Sequence, residues 1–173
     1  MNQEQEIEVN ISIRKIKVLS LQQFNVPDIQ KIPNPNHFIV DLKLGFLPVV
    51  DKDYFIITVY VDIRYKDEVN PVMELMNTAI EISYSIQDMH VISKLLPDGN
   101  FEMSNAVMGP LVLESLATVR GILFVKNLGT LASRTTIPMV DPYDLLEKYK
   151  IAALEQQKSD PLPVRIARKK RKK

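Results

Sequence analysis

The sequence predicts an α+β protein, in which a four-stranded antiparallel Greek-key sheet precedes two C-terminal helices packed on one of its faces. Four segments in the first part of the chain alternate apolar and polar residues with the period of a strand: 7–19, 38–46, 54–65 and 79–87. An apolar segment from Met108 onwards follows helical spacing, and a second helix is predicted after Pro142. Because the strands all precede the helices, antiparallel pairing is favoured over βαβ units.

Length and composition indicate one domain with a substantial core. The chain has 173 residues, of which 46% are hydrophobic and 25% charged. It has no cysteine, which excludes disulfides, thiolate chemistry and cysteine-based zinc sites. The N-terminus, MNQEQEIEV, does not resemble a secretory signal, and no apolar run approaches the length of a membrane span. We therefore expect a cytoplasmic protein with no membrane span.

The net charge of +1 combines an acidic body with a basic tail. Seven of the nine residues from Arg165 to Lys173 are basic, so 15 of the 22 lysines and arginines remain against 21 acidic residues, a net charge of −6. Such a tail can neutralise nucleic-acid phosphates, meet anionic lipid, or fold back on the acidic body or a partner. A disordered tail that keeps the protein soluble is the alternative.

The first strand is predicted to contain a bulge, and a long connection follows it. Ile11 and Ile13 share one phase of the alternation and Ile16 takes the other, which indicates a bulge near Arg14 and Lys15. Residues 20–37 contain three prolines, which cannot donate ladder hydrogen bonds, and a connection of this length often has a function. An aromatic residue within it, Phe24, is expected either to anchor the connection or to line a groove.

The next three strands differ in how clearly the sequence marks them. Residues 54–65 alternate without a break, whereas Val72–Met76 is equally compatible with a helical turn or the start of the fourth strand. Ser104 or Asn105 is expected to cap the long helix and Gly129 to end it. Pro138 predicts an extended residue before it.

No catalytic, cofactor or metal motif is apparent. The two histidines, His37 and His90, have no partner at metal-ligand spacing, the five glycines form no phosphate-binding loop, and no serine lies in a nucleophile elbow. The prediction is a protein that is not an enzyme and has no cofactor.

The order of the later segments resembles the SecB family of protein-export chaperones. The resemblance lies in the helix Leu111–Leu128, the step Gly129-Thr130-Leu131, then Ile137-Pro138, Pro142 and Leu145-Leu146-Glu147-Lys148-Tyr149. The earlier part agrees in order, with a strand, a loop containing Phe24-Asn25-Val26-Pro27, and three further strands. The resemblance implies an ATP-independent holdase that binds unfolded polypeptides in apolar grooves. It also implies a homotetramer built as a dimer of dimers.

By this resemblance the groove is built from the long connection, the second strand and the second helix. It implies the following peptide-binding residues: Phe24, Val26, Phe38, Val40, Leu42, Leu44, Leu145, Leu146 and Tyr149. The first helix is apolar on more sides than one sheet face can cover. We therefore expect part of it to bury against a second subunit, at Val112, Leu116, Val119 and Leu123.

The sequence departs from export chaperones at two places. Residues 20–25 lack the acidic residues with which export SecB docks its motor ATPase, and the terminal tail is basic rather than acidic. Docking to the export motor is therefore in doubt, and two alternatives stay open. These are nucleic-acid or anionic-surface binding through Arg165–Lys173, and an oligomeric scaffold for one specific partner. The predicted organisation is a flexible N-terminus at 1–6, a SecB-like domain at 7–157 and a disordered basic tail at 158–173.

Overall fold

A computed structural model describes residues 9–24, 35–66, 71–96 and 101–148. The chain divides into two compact units, Met1–Met139 and Val140–Lys173, which are described separately. The predicted boundaries at residues 6 and 157 lie outside the described residues and stay a prediction.

The first unit contains six strands and two helices in the residues described. The strands are β1 (Ile11–Gln23), β2 (Phe38–Val49), β3 (Tyr54–Tyr65), β4 (Met73–Ile86), β5 (Ser93–Leu95) and β6 (Phe101–Met103). The helices are α1 (Met89–Ile92) and α2 (Asn105–Lys126), and single 3-10 turns occur at Pro35–His37, Val50–Lys52 and Leu131–Arg134. In the second unit, residues 142–148 are helical and are called α3.

Four strands form an antiparallel sheet in the order β1-β4-β3-β2. The strands β2, β3 and β4 lie side by side in chain order, whereas β1 pairs with β4 and β2 lies at the far edge of the sheet. This is the Greek-key arrangement. The predicted α+β class with a four-stranded antiparallel sheet is confirmed.

The inner face of the sheet is the face that carries alternate residues of β3 from Phe55 to Tyr65. These side chains are at most 3% exposed. In β4, Ile80, Ile82 and Tyr84 lie opposite Val59, Ile57 and Phe55 and share this face. The outer face carries the intervening residues of β3, including Thr58, Tyr60 and Asp62. The alternation in residues 54–65 therefore divides core from surface as predicted.

Helix α2 packs against β3 on the inner face. Its buried residues are Met108, Gly109, Leu111, Val112, Ser115, Leu116, Val119 and Leu123. The hydroxyl groups of Tyr84 and Ser115 lie 2.7 Å apart, and Ser115 Oγ donates to the Leu111 carbonyl oxygen at 2.8 Å. Burial raises the pKa of Tyr84 to about 12, because the low-dielectric core disfavours the phenolate. This hydrogen-bonded contact fixes the helix on the sheet.

The bulge predicted in the first strand is present. The register of β1 against β4 shifts between Ile13 and Lys15, and again between Val18 and Ser20. The first shift returns Ile16 to the side of the sheet on which Ile13 lies, because Ile13 pairs with Tyr84 and Ile16 with Ile82. The strand ends at Gln23, four residues beyond its predicted end.

The sequence of Val72–Met76 is compatible with a helical turn or with the start of the fourth strand. In the structure the segment is a strand from Met73 onwards. Met73 pairs with Tyr65 across a register shift between Ile63 and Arg64, which extends β4 to 14 residues. Because both neighbours of β4 cover its edges, several outer-face residues such as Ala79 and Ser83 are also buried.

The helix ends follow the predicted signals. Ser104 Oγ accepts from the Ala106 amide at 3.2 Å, and Gly129 adopts φ +81° just after α2. In the second unit, Asp141 Oδ1 accepts from the Tyr143 amide at 2.8 Å at the start of α3. Helix α2 is long enough and, with a mean hydropathy of 1.5, apolar enough to cross a membrane. The same values are typical of a core helix, and the inner side of α2 is buried against the sheet.

Candidate polypeptide-binding surfaces

Alternate residues of the edge strand β2 form an apolar row, here called the β2 stripe: Phe38, Val40, Leu42, Leu44 and Phe46. They pair with the inner-face residues of β3 from Tyr65 to Ile57, so they lie on the inner face. Leu44 is 7% exposed, and the other four are half-buried. Among the described strands, β2 pairs with β3 and is the last strand in the order of the sheet. Pro48, which has no amide hydrogen, is compatible with an edge strand.

Aromatic side chains at both ends of the β2 stripe contact other aromatic rings. At one end, the Phe38 ring contacts Tyr65 edge-on at a centroid distance of 5.3 Å. At the other, Phe46 stacks on Phe55 at 6.2 Å, and Phe55 stacks on Phe101 of β6 at 5.3 Å. Such ring pairs have defined geometry and fix the positions of the side chains at both ends of the row.

The structure brings together only part of the predicted peptide-binding set. Phe38, Val40, Leu42 and Leu44 lie in one row, whereas Phe24 follows β1 at the opposite edge of the sheet, with β4 and β3 in between. The Phe24 amide donates to the Leu75 carbonyl oxygen at 3.1 Å, and its side chain is 39% exposed. In the second unit, Leu145 is half-buried and Leu146 is buried. Val26 and Tyr149 lie outside the described residues.

The predicted subunit-interface residues are in the core of the single chain. Val112, Leu116 and Val119 are 0% exposed and Leu123 is 4% exposed. Side chains with no accessible surface have nothing left to bury against a second subunit, so these four residues are corrected to core residues of α2. The large apolar residues that the same helix exposes are Leu113, Phe124 and Val125.

Strand β1 exposes apolar side chains along its length. Ile11, Ile13, Ile16, Val18 and Leu19 are each between 39% and 43% exposed. Among the described strands, β1 pairs only with β4, so its other edge lies at the border of the sheet. A long, apolar edge strand is a surface that natural proteins normally cover. The sequence predicts the strand, but its pattern does not identify this surface.

A cavity of about 170 Å³ opens at the C-terminal end of α2. Its lining combines Ile63 of β3 with Leu123, Phe124 and Asn127 at the end of the helix, and with Thr135 and Ile137 of the following segment. Ile63, Leu123 and Ile137 are buried, whereas Phe124 is 68% exposed. The sequence contains no signal for this cavity, because its walls come from parts of the chain that only the fold brings together.

Polar residues of the outer face are paired with one another. Arg64 forms an ion pair with Asp41, and Asn77 Nδ2 donates to Asp62 Oδ1 at 2.5 Å. These partners stabilise two carboxylates, Asp41 and Asp62, that lie directly opposite each other in β2 and β3. In the described part of the chain, no three histidine or acidic residues are grouped as a metal site requires.

Comparison with known proteins yields similarity to solved structures alone. No family model matches the sequence, and no curated protein matches it. One similar structure is the SecB-like chaperone Rv1957 of Mycobacterium tuberculosis in complex with a ChAD peptide from the antitoxin HigA1. It is 12% identical, with 75% of this chain and 90% of that chain covered and a TM-score of 0.48. Another is a protein of unknown function from Streptococcus agalactiae, which is 11% identical, with 77% and 100% covered and a TM-score of 0.31. At TM-scores below 0.5, neither similarity carries a conclusion about what this chain binds.

Proposed function

We propose that this chain is an ATP-independent holdase, which binds unfolded polypeptide segments in extended conformation along the β2 stripe. The observation that carries the proposal is the row of apolar side chains on an edge strand, of which all but Leu44 are half-buried. An extended client has side chains on alternate sides, with the same two-residue period as β2. Client side chains can therefore lie between successive residues of the row.

The proposed binding energy comes from burial of apolar surface, which needs no nucleotide. Removing apolar surface from water contributes about 25 cal/mol per Å². Because this contribution does not depend on a particular sequence, it suits a protein that binds many unfolded clients.

The proposal includes a homo-oligomer, with the uncovered side of β1 as the contact between two copies. An antiparallel pair of β1 strands related by a twofold axis would cover the exposed apolar residues on each copy. The same proposal includes the association of two such dimers into a tetramer. A contact through β1 does not involve the β2 stripe, which lies at the opposite edge of the sheet.

A holdase assay on matched variants of β2 tests this function. Leu42→Thr reduces the apolar surface of the β2 stripe and places a β-branched residue in the strand. Leu47→Thr makes the same change on the outer face of the same strand, where Leu47 is 56% exposed. We expect Leu42→Thr to weaken the suppression of client aggregation and Leu47→Thr to leave it unchanged. Equal loss in both variants, or no suppression by the unmodified protein, would contradict the proposal.

The composition of the tail favours a second candidate function, which is binding to nucleic acid or another anionic surface through Arg165–Lys173. Removal of residues 165–173 should then abolish a salt-sensitive interaction with DNA, RNA or anionic vesicles. A scaffold for one specific partner is distinguished from a holdase by pull-down, because it predicts a narrow rather than a broad set of bound proteins. Docking to an export motor is not part of the proposal, since residues 20–25 carry no acidic group.

A further inference from the structure

We propose that the cavity at the C-terminal end of α2 is a second client site, which takes one large apolar side chain from an acidic stretch of polypeptide. The inference rests on the proposed function, because it assumes that the chain binds polypeptide. It adds a separate site and a sequence preference that the β2 stripe does not provide.

The size of the cavity fits a single side chain. Its volume of about 170 Å³ is close to the roughly 150 Å³ of an engineered apolar cavity that binds benzene. Leucine and phenylalanine side chains are of this size class. The buried residues Ile63, Leu123 and Ile137 give the inner wall an apolar surface.

The entrance of the cavity is apolar on the helix side. Phe124 and Leu128 both line it, and they are 68% and 61% exposed. A ligand that covers these side chains removes their apolar area from water, which contributes favourable binding free energy. A side chain that enters the cavity would contact the inner wall and this entrance at the same time.

Hydrogen bonds fix residues in and beside the walls of the cavity. Arg120 Nε donates to the Ile137 carbonyl oxygen at 3.2 Å, and Arg120 Nη2 donates to the Pro138 carbonyl oxygen at 2.8 Å. Gln23 Nε2 donates to the Lys126 carbonyl oxygen at 2.9 Å and lies 3.1 Å from Asn127 Oδ1. These bonds join the helix end to the following segment and to β1. A site formed before its ligand arrives requires little ordering on binding.

The charge around the cavity selects the flanking residues of the ligand. From Ser115 to Val140 the sequence contains three cations, Arg120, Lys126 and Arg134, and no acidic residue. The neighbours of Ile63 in β3, Asp62 and Arg64, belong to the outer face. In a chain whose body carries a net charge of −6 without its tail, this segment is locally basic. Acidic residues beside the entering side chain would therefore be attracted to it.

Peptide binding measured by fluorescence anisotropy tests the site. The probe is a short labelled peptide with a central leucine flanked by glutamates, and two further peptides replace the leucine by serine or the glutamates by lysines. We expect the first peptide to bind at least about tenfold more tightly than the serine peptide, because it buries one apolar side chain. We also expect it to bind more tightly than the lysine peptide, by a margin that shrinks as salt increases.

Variants of adjacent helix residues localise the binding. Phe124→Ala removes the entrance ring, whereas Val125→Ala changes a neighbour that is 63% exposed and does not line the cavity. Both residues are exposed, so both variants should fold. We expect Phe124→Ala to weaken binding of the leucine peptide severalfold and Val125→Ala to have no effect. Equal affinities for the three peptides, or equal effects of the two variants, would overturn the assignment.

The peptide-binding assay and the aggregation assay test the cavity site and the holdase proposal separately. If the unmodified protein suppresses client aggregation but does not bind the acidic leucine peptide, the cavity site is wrong and the proposed function stands. If it binds this peptide through Phe124 without suppressing aggregation, the cavity site stands and the holdase is wrong.

Discussion

If β1 forms the proposed contact between two copies, the double variant Ile13→Lys/Ile16→Lys should dissociate them into single chains. Both isoleucines lie on the exposed part of β1, at 42% and 43% exposure. Complete burial of such a side chain contributes about 1.5–3 kcal/mol, so covering the remaining two-fifths contributes about 0.6–1.2 kcal/mol. About ten such side chains in a dimer give about 6–12 kcal/mol, against an association cost of about 4–15 kcal/mol. Because the burial energy and the association cost are of similar size, the loss of both isoleucines from each copy should be enough to prevent dimer formation.

The variant removes about 2–5 kcal/mol of this burial in a dimer, a factor of about 30 to several thousand in the dissociation constant. Size-exclusion chromatography with light scattering measures the mass. The control Ser12→Lys/Ser20→Lys adds the same charge to the outer face of the same strand, where exposed charges contribute at most about 1 kcal/mol each. A single-chain mass for the unmodified protein, or an unchanged mass for the isoleucine variant, would refute the reasoning.

Three further outcomes follow from the described contacts. Tyr84→Phe should destabilise the fold by about 1 kcal/mol in urea unfolding, because a buried hydroxyl loses its partner at Ser115. Since folding raises the pKa of Tyr84 from 10.0 to about 12, the neutral phenol favours the native state; this contribution is complete below pH 10 and is lost as the pH rises to 12. The Tyr84→Phe variant should lack that component of alkaline destabilisation, and identical pH profiles would contradict this. Gly121→Ala should stabilise the fold by about 0.5–1 kcal/mol, because Gly121 is an exposed helix residue where an added Cβ meets no atom within 4 Å. Gly129→Ala should destabilise the fold, because φ is +81° at this residue. Melting temperatures of the two variants that shift in the same direction would contradict this pair of predictions. Removal of residues 165–173 should leave client binding unchanged and abolish any binding to DNA, and a truncated protein that binds DNA as before would exclude the tail as the contact.

The sequence predicts β3 within its observed bounds, because its two faces differ sharply in environment. One face of the strand contacts the core and the other faces outward, so its apolar and polar residues alternate without a break. The bulge in β1 is predictable for the same reason, since an extra residue in a strand shifts the phase of its apolar row. Gly129 and Asp141 mark helix ends through local backbone chemistry, which does not depend on the rest of the fold.

The start of β4 is not predictable, because Val72–Met76 is mostly apolar and its apolar residues do not alternate with polar ones. A strand that is buried on both faces loses its alternation, and it then resembles a buried helical turn. The pairing of Met73 with Tyr65 decides the conformation, and such a pairing is a property of the sheet rather than of the local sequence.

The prediction of a subunit interface on α2 is wrong for a related reason. A helix that is apolar on most sides gives no indication of which side meets the sheet, so the sequence cannot separate core residues such as Val112 and Leu116 from exposed ones. The period of β2 correctly predicts one row of side chains, whereas Phe24 does not belong to that row because two strands separate them. Strand order, which is a property of the whole fold, is needed for that distinction.

Amide hydrogen exchange of β2 in the presence of an unfolded client tests the central claim most directly. If an extended client lies along the β2 stripe, exchange within Phe38–Val49 should slow on client binding, and it should slow less in Leu42→Thr at the same client concentration. Leu47→Thr should match the unmodified protein. Client binding that leaves exchange in Phe38–Val49 unchanged, or that slows it equally in both variants, would contradict the account.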